Sequence, residues 1–327
     1  LIMVSDILIA ECCQNHNGSI NILKEMVNQA SIGGATHVKM QTIFSKNLSF
    51  RPQFESGMKD FNGNEIYIKR PYELEYKRLK SLEIDEESHK IFIKSCIDNN
   101  VQPLTTCFTH EDVGIIKKLG FKAVKIASYD AASYEMVSRC IENFEEVFIS
   151  TGASYDNEIE KLAEITNKNV PLLHCVTSYP NKCEDANISR INFLSKFSKK
   201  VGFSDHTEFL KDKNEASLVA IYFGAKLIER HFTILASDKT KDGKVSIDRD
   251  GLKEISDFFH FDKKQQLSYL NKNYPKWERC IGNEKRDLSS RELLNRRYYK
   301  GRFATPRSKQ YNFPPTEWIY NWEPYSE

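Results

Sequence analysis

The chain has 327 residues, of which 40% are hydrophobic and 28% are charged, a composition typical of a globular protein. The formal net charge of +2 at pH 7 argues against the basic balance of a protein that binds nucleic acid or an acidic membrane surface. No apolar run reaches the ~20 residues that a membrane-spanning helix needs. A short basic run, "NRRYYKGR" at 295–302, is expected to be a solvated loop.

Eight short runs rich in β-forming residues predict eight strands. Amphipathic stretches separate them. In the first of these stretches, apolar residues from Ile22 to Ala30 follow helical spacing, and Ser19 can cap the helix start. The predicted strands cover residues 7–12, 37–42, 102–107, 123–128, 146–151, 170–175, 200–205 and 225–232.

Strands that alternate with helices indicate a parallel sheet. Eight such units predict an α/β fold, a closed (β/α)8 TIM barrel, for which roughly 250 residues suffice. An open doubly wound sheet is the alternative. We assign the barrel to residues 1–282 and a short C-terminal extension to 283–327. The long connection over 43–72 is expected to stand over the barrel mouth, because long loops in compact domains are usually functional or disordered.

Most predicted strands end in polar residues. The carboxyl ends of barrel strands form one rim, where active sites lie, so these side chains are expected to converge on one pocket. In chain order they are Glu11, Lys39, Gln41, Thr105, Thr106, Lys125, Ser128, Ser150, His174, Thr177, Ser204, Asp205, His206, Glu229 and His231.

One pair of histidines and one pair of lysines in this set indicate a metal site and an anion site. His206 and His231 end consecutive strands, and two imidazoles with water and substrate oxygens make an open site for a divalent ion. Either histidine alone would more often be a hydrogen-bonded structural residue. Lys39 and Lys125 lie inside apolar strands near several hydroxyls, which is typical of a cradle for phosphate and carboxylate. Lysines that extend to solvent from strand ends are the alternative.

Several segments, in the right order over about residues 7–257, resemble motifs of the sialic acid synthase (N-acetylneuraminate synthase) family. "AECCQNHNGS" resembles AExGxNHNGS, "VKMQT" resembles VKxQT, and "KIASYD" resembles KIxSxD/E. "LLHCVTSYPNKCEDANI" is similar to LLHCxSxYPxPxEDxNL, "VGFSDHT" to GxSDHT, and "IERHFT" to IEKHFT.

The resemblance implies condensation of phosphoenolpyruvate with an aldose, such as N-acetylmannosamine or a diacetamido-trideoxyhexose, to a sialic-acid-like ulosonic acid and phosphate. It implies a divalent metal held by His206 and His231, namely Mn²⁺, with Mg²⁺ or Co²⁺ as alternatives. It places Glu11, Gln41, Asp130 and Glu229 at the reacting centre and Tyr179 and Asp242 at the sugar. The residues implied for phosphoenolpyruvate are Lys39, Thr106, Lys125, Ser128, Ser150, Thr177 and Ser204.

The chain departs from the family pattern in several places, two of which bear on the site. Cys12 and Cys13 stand where small or apolar residues are usual. Family members usually carry an antifreeze-like domain that lends an Arg to the partner's sugar site; here that lid and its Arg are expected to be absent. A synthase for a different aldose, a catalytically silent ligand-binding barrel and a piece of a longer enzyme are the alternatives. A homodimer is possible by the same resemblance.

The eight cysteines form no CxxC pair, so neither a zinc site nor a disulfide scaffold is indicated. They are expected to be reduced thiols in a cytoplasmic protein.

Overall fold

A computed structural model describes residues 6–307 and 317–326 of the protein. Its centre is a closed barrel of eight parallel strands, which confirms the predicted α/β barrel and excludes the open sheet. Residues 1–5 of the range assigned to the barrel, and residues 308–316 and 327 of the predicted extension, lie outside the described residues.

Twelve described strands are present, eight of them in the barrel. They are β1 (Ile7–Cys13), β2 (His37–Gln41), β3 (Met58–Lys59), β4 (Glu65–Tyr67), β5 (Gln102–Thr106), β6 (Ala123–Ile126), β7 (Glu146–Ser150), β8 (Leu172–Cys175), β9 (Val201–Asp205), β10 (Leu227–His231), β11 (Thr305–Pro306) and β12 (Trp318–Ile319). The barrel order is β1-β10-β9-β8-β7-β6-β5-β2, closed by pairing of β1 with β2. β3 and β4 form a hairpin inside the long connection, and β11 pairs with β12.

Helices surround the barrel, and the Ser19 side chain caps the first of them, as predicted. Among the described residues, no helix is long and apolar enough to cross a membrane. The helices are α1 (Ile20–Ile32), α2 (Gln53–Ser56), α3 (Tyr72–Lys80), α4 (Glu86–Asp98), α5 (His110–Leu119), α6 (Tyr134–Asn143), α7 (Asp156–Thr166), α8 (Arg190–Leu194), α9 (Phe209–Asp212), α10 (Glu215–Tyr222), α11 (Arg249–Phe259), α12 (Lys263–Asn273) and α13 (Ser290–Tyr299).

Alternation along each strand divides the core into two layers. On β10, Leu227 belongs to the small apolar cluster inside the barrel, whereas Ile228 packs in the larger layer between strands and helices. Arg230 is fully buried and pairs with Asp205 at 2.5 Å. Glu229 and His231 therefore lie on the inner face of β10 and Arg230 on the outer face.

The described part of the C-terminal extension packs on the barrel. Tyr299 of α13 stacks on Tyr129 with ring centroids 4.8 Å apart, and Arg296 pairs with Glu158 at 2.5 Å. The prediction that 295–302 is a solvated loop is wrong, because residues 295–299 belong to α13, and Arg296 and Arg302 pair with carboxylates.

Candidate active site

A cavity of about 300 Å³ opens at the carboxyl ends of the barrel strands. Its volume lies at the lower end of the range for small-molecule sites. Three residues of the predicted rim, Thr105, His174 and Asp205, are not in its lining and pair with other groups. Thirteen of the fifteen residues that the family resemblance implied for the site line it: Glu11, Lys39, Gln41, Thr106, Lys125, Ser128, Ser150, Tyr179, Ser204, His206, Glu229, His231 and Asp242.

The floor of the cavity holds a buried ion network centred on Lys39. Register places Lys39 of β2 beside Glu11 of β1, and the Lys39 ammonium pairs with Glu11 and, at 3.0 Å, with Glu229 of β10. Burial opposes the ammonium form, but the two carboxylates outweigh it and raise the pKa of Lys39 above its usual value. Burial likewise opposes ionised Glu229, yet Lys125 and Lys39 hold the pKa of Glu229 well below its usual range. Lys39 and Glu229 are therefore charged at neutral pH.

Lys125 stands in a row of small polar groups. Its Nζ donates to Ser150 Oγ at 2.5 Å and lies 3.7 Å from Glu229. Ser204 Oγ donates to Glu229 at 2.9 Å. Burial lowers the pKa of Lys125, and Glu229 opposes that shift. The buried Thr106 Oγ1 on this wall has no hydrogen-bond partner among the described residues, so it is available to a ligand.

The two histidines face each other with ring centroids 5.4 Å apart. His206 Nδ1 lies 2.9 Å from the Val176 carbonyl, which orients the ring and leaves Nε2 for the cavity. Burial, and then His231, lowers the pKa of His206 to about 3, so this imidazole is neutral, the form that binds metals. Tyr179 packs on His206 with centroids 4.3 Å apart.

The donor set beside these rings fits a divalent ion. Donor atoms of Cys13, His231 and Asp242 all lie within 4.8 Å of one another. The buried His231 Nδ1 has no hydrogen-bond partner in the described part of the chain. A buried polar atom left without a partner is costly, and an ion would satisfy it.

The family resemblance implied Asp130 at the reacting centre and Thr177 at phosphoenolpyruvate. Neither lines the cavity among the described residues. Asp130 accepts hydrogen bonds from Ser133 and Asn321 at 3.3 and 2.9 Å. The Thr177 carbonyl accepts from Asn295 at 2.7 Å. Both residues hold the C-terminal extension, because the chain turns out of the rim after the strand that precedes each one.

Several cavity residues escaped sequence reasoning. Arg70, from the connection over 43–72, and Lys241, next to Asp242, lie at the mouth. The extension adds Arg291, Asn295, Tyr299 and Arg302. Their only sequence signal is the basic and aromatic density of 291–302. The expected absence of the antifreeze-like lid and its Arg stays a prediction, and the arginine that α13 brings to the mouth belongs to the same chain.

The described lining carries an excess of positive charge. Six side chains are cationic, namely Arg70, Lys39, Lys125, Lys241, Arg291 and Arg302, against the carboxylates of Glu11, Glu229 and Asp242. Clefts lined by one sign of charge raise the local concentration of ligands of the opposite sign. The cavity is therefore suited to an anionic ligand.

Comparison with known families decides the assignment. Residues 26–264 match the model of the NeuB family. The chain belongs to the NeuB family. This membership confirms the resemblance that the sequence motifs indicated, and the chain is an enzyme of the synthase type named for its relatives.

Two curated relatives from Campylobacter jejuni are similar over most of their length. An N,N'-diacetyllegionaminic acid synthase is 30% identical over 269 residues, covering 77% of this chain and 75% of the relative. A pseudaminic acid synthase is 28% identical over 311 residues, covering 93% and 82%.

A solved structure shares the fold. The N-acetylneuraminic acid synthetase of Leptospira borgpetersenii superposes with a TM-score of 0.67 at 23% identity, covering 90% of this chain and 91% of that one.

Proposed function

We propose that the enzyme condenses phosphoenolpyruvate with an aldose, an N-acylated amino sugar or diacetamido-trideoxyhexose, to give a sialic-acid-like ulosonic acid and phosphate. One observation carries the proposal: two buried lysines and a histidine pair open onto the same cavity. The relatives, named as synthases of legionaminic and pseudaminic acids, support the same class of product.

The lysine wall is proposed to hold phosphoenolpyruvate. Lys39 and Lys125 offer ammonium groups, and Thr106, Ser128 and Ser150 offer hydroxyls beside them. Charge-assisted hydrogen bonds to phosphate and carboxylate are strong in a buried site. Fixing this substrate beside the aldose turns a bimolecular encounter into an intramolecular step.

The reaction forms a bond between C3 of phosphoenolpyruvate and the aldehyde carbon of the sugar. Cationic character then develops at C2, water adds there, and phosphate leaves by C–O cleavage. The carboxyl groups of Glu11 and Glu229 face the cavity beside Lys39. Both are proposed to stabilise the positive charge at C2, and Glu11 is proposed to accept the proton of the adding water.

A divalent ion, Mn²⁺ by the family resemblance, is proposed for the histidine side. His206 and His231 would hold it, and the unpartnered His231 Nδ1 supports that assignment. When bound, such an ion acts as a Lewis acid on a sugar oxygen. Tyr179 and Asp242 line the same side and are proposed to contact the sugar.

The test is phosphate release from phosphoenolpyruvate with Mn²⁺ across a panel of N-acetylmannosamine, diacetamido-trideoxyhexoses, pentoses and hexoses. We expect release with one sugar class, lost on chelation and in Lys125→Met. Arg249→Ala, an exposed substitution outside the cavity, is the matched control. Release that does not depend on any sugar, or binding of phosphoenolpyruvate that survives Lys125→Met unchanged, would contradict the proposal.

A further inference from the structure

The end of β1 is irregular at Cys13. The register of β1 against β2 shifts between Glu11 and Cys13, and Cys13 has a φ of 45°. Residues that carry a side chain are uncommon in this left-handed region because their Cβ crowds the backbone. Its neighbour Cys12 packs in the layer between barrel and helices, whereas Cys13 lines the cavity. The backbone of Cys13 is therefore strained where its thiol enters the cavity.

The Cys13 thiol points at groups suited to hold a metal. Its Sγ lies 3.0 Å from Asp242 Oδ2, and both lie within 4.8 Å of a nitrogen of His231. That separation is about twice a metal–ligand bond length of 2.0–2.3 Å. His231 is only 7% exposed, and its Nδ1 has no hydrogen-bond partner in the described part of the chain. The thiol is therefore one of three neighbouring donor atoms that could bind the same ion.

We propose that Cys13 is a metal ligand and that, with His231, Asp242 and the facing His206, it forms a thiolate-containing divalent metal site. On binding, the thiol loses its proton to solvent and a sulfur–metal bond forms. This inference deepens the proposed function and rests on it for the catalytic use of the ion. Binding of the ion by Cys13 can be tested without turnover.

A thiolate changes which ions the site prefers. Sulfur ligands favour Zn²⁺ and other softer ions, whereas Mg²⁺ and Mn²⁺ prefer carboxylate and water oxygens. The chain is therefore expected to bind Zn²⁺ and Co²⁺ more tightly than Mn²⁺. The ratio of the affinity for Zn²⁺ or Co²⁺ to the affinity for Mn²⁺ should fall when the sulfur is replaced by oxygen in Cys13→Ser.

The first experiment is titration of the reduced full chain with Co²⁺, followed by absorption. A sulfur-to-cobalt charge-transfer band in the near ultraviolet is expected for the unsubstituted protein. Cys13→Ser should lose this band and bind Co²⁺ about tenfold or more weakly, as loss of a ligand predicts. Cys12→Ser is the matched control because the adjacent thiol packs away from the cavity.

A second control removes the other group that offers sulfur. Cys183, Glu215 and Cys280 also bring donor atoms within 4.8 Å of one another, so Cys280→Ser must keep the band. A band that persists in Cys13→Ser, or that disappears in Cys280→Ser, would overturn the proposal.

An X-ray absorption spectrum of the unsubstituted chain with one equivalent of Zn²⁺ needs no variant. It should show one sulfur at about 2.3 Å. A shell of nitrogen and oxygen alone would overturn the proposal even if Cys13→Ser fails to fold. A sulfur-bound ion in a protein that releases no phosphate with any sugar would instead count against the proposed function and leave the metal site standing.

Discussion

The side-chain amide of Asn321 donates a hydrogen bond to Asp130 Oδ1 at 2.9 Å, across 191 positions of sequence. The same amide donates to the Phe108 carbonyl at 2.8 Å, and the Asn321 carbonyl accepts from the Met136 amide at 3.3 Å. Asn321 is fully buried. The extension is thereby fixed to the turn after β6, and Asp130 is one of its attachment points.

The variant Asp130→Asn tests whether Asp130 only attaches the C-terminal extension or also takes part in catalysis. Burial raises the pKa of Asp130 to about 6, against hydrogen bonds from Asn321 and Ser133 that lower it. The folded state therefore binds this proton more tightly than the unfolded chain. The contribution of Asp130 to stability is greatest below its ordinary pKa near 4 and is lost as the pH rises through 6.

Asparagine stays neutral, so the variant should gain stability relative to the unsubstituted chain between pH 4 and pH 7, measured by urea unfolding. The rate of phosphate release should stay within about tenfold, because the carboxylate lies outside the cavity lining. A hundredfold fall in the rate of phosphate release, with no change in how the unfolding free energy depends on pH, would mean that Asp130 acts at the reacting centre.

Lys39→Met should cost both stability and binding. The substitution leaves Glu11 and Glu229 buried without their shared cation, since these side chains are 2% and 3% exposed. Breaking a buried ion pair from one side costs about 3–5 kcal/mol of unfolding free energy. Equilibrium unfolding measures that loss, and calorimetry should show that phosphoenolpyruvate no longer binds.

The double variant Lys39→Met with Glu11→Gln is the control for the mechanism. It removes one of the two unpaired charges and should recover part of the lost stability without recovering binding. Equal stability of the single and double variants would mean that an unpaired charge on Glu11 is not the cause of the lost stability.

Arg291→Ala tests whether α13 contacts the sugar. Arg291 is exposed at the mouth and lines the cavity. We expect the KM for the aldose to rise about tenfold or more, while the KM for phosphoenolpyruvate changes little, because that anion is proposed to lie at the lysine wall. Arg297→Ala, an exposed arginine of the same helix outside the lining, should leave both constants unchanged. A rise in the KM for phosphoenolpyruvate alone would mean that phosphoenolpyruvate, and not the aldose, binds beside Arg291.

Metal loading should stabilise the fold. An ion that binds only the folded state adds RT ln(1 + [L]/Kd), about 2.7 kcal/mol at a hundredfold excess over Kd. The melting temperature should therefore rise with Mn²⁺ or Zn²⁺ and fall back on chelation. His231→Ala should remove this shift, and an equal shift in that variant would place the ion elsewhere.

Local pattern was enough to predict the barrel and most of its rim. Residue alternation on β10 directs Glu229 and His231 inward and Arg230 outward, and that alternation is a property of any strand. The same reasoning was less successful past the strand ends. Asp130 is the last residue of a 3-10 turn, Ser128–Asp130, which ends the alternation and directs its side chain to the extension.

Contacts made by the extension could not be predicted from local sequence. Arg291 and Tyr299 reach the cavity only because α13 docks on the barrel, and docking depends on tertiary contacts such as Tyr299 on Tyr129. The charged run of the helix resembles a solvated segment until those partners are known. The left-handed turn at Cys13 is also unmarked in sequence, because cysteine is not a residue type that favours positive φ.

The most direct measurement is the fate of C3 of phosphoenolpyruvate. The chain is given phosphoenolpyruvate labelled with ¹³C at C3, a divalent ion and the aldose that supports phosphate release, and the products are followed by NMR. Condensation predicts a labelled methylene carbon bonded to the former aldehyde carbon of the sugar, formed in equal amount to phosphate. A labelled methyl group of pyruvate, with the sugar unchanged, would mean hydrolysis without carbon–carbon bond formation and would contradict the proposed function.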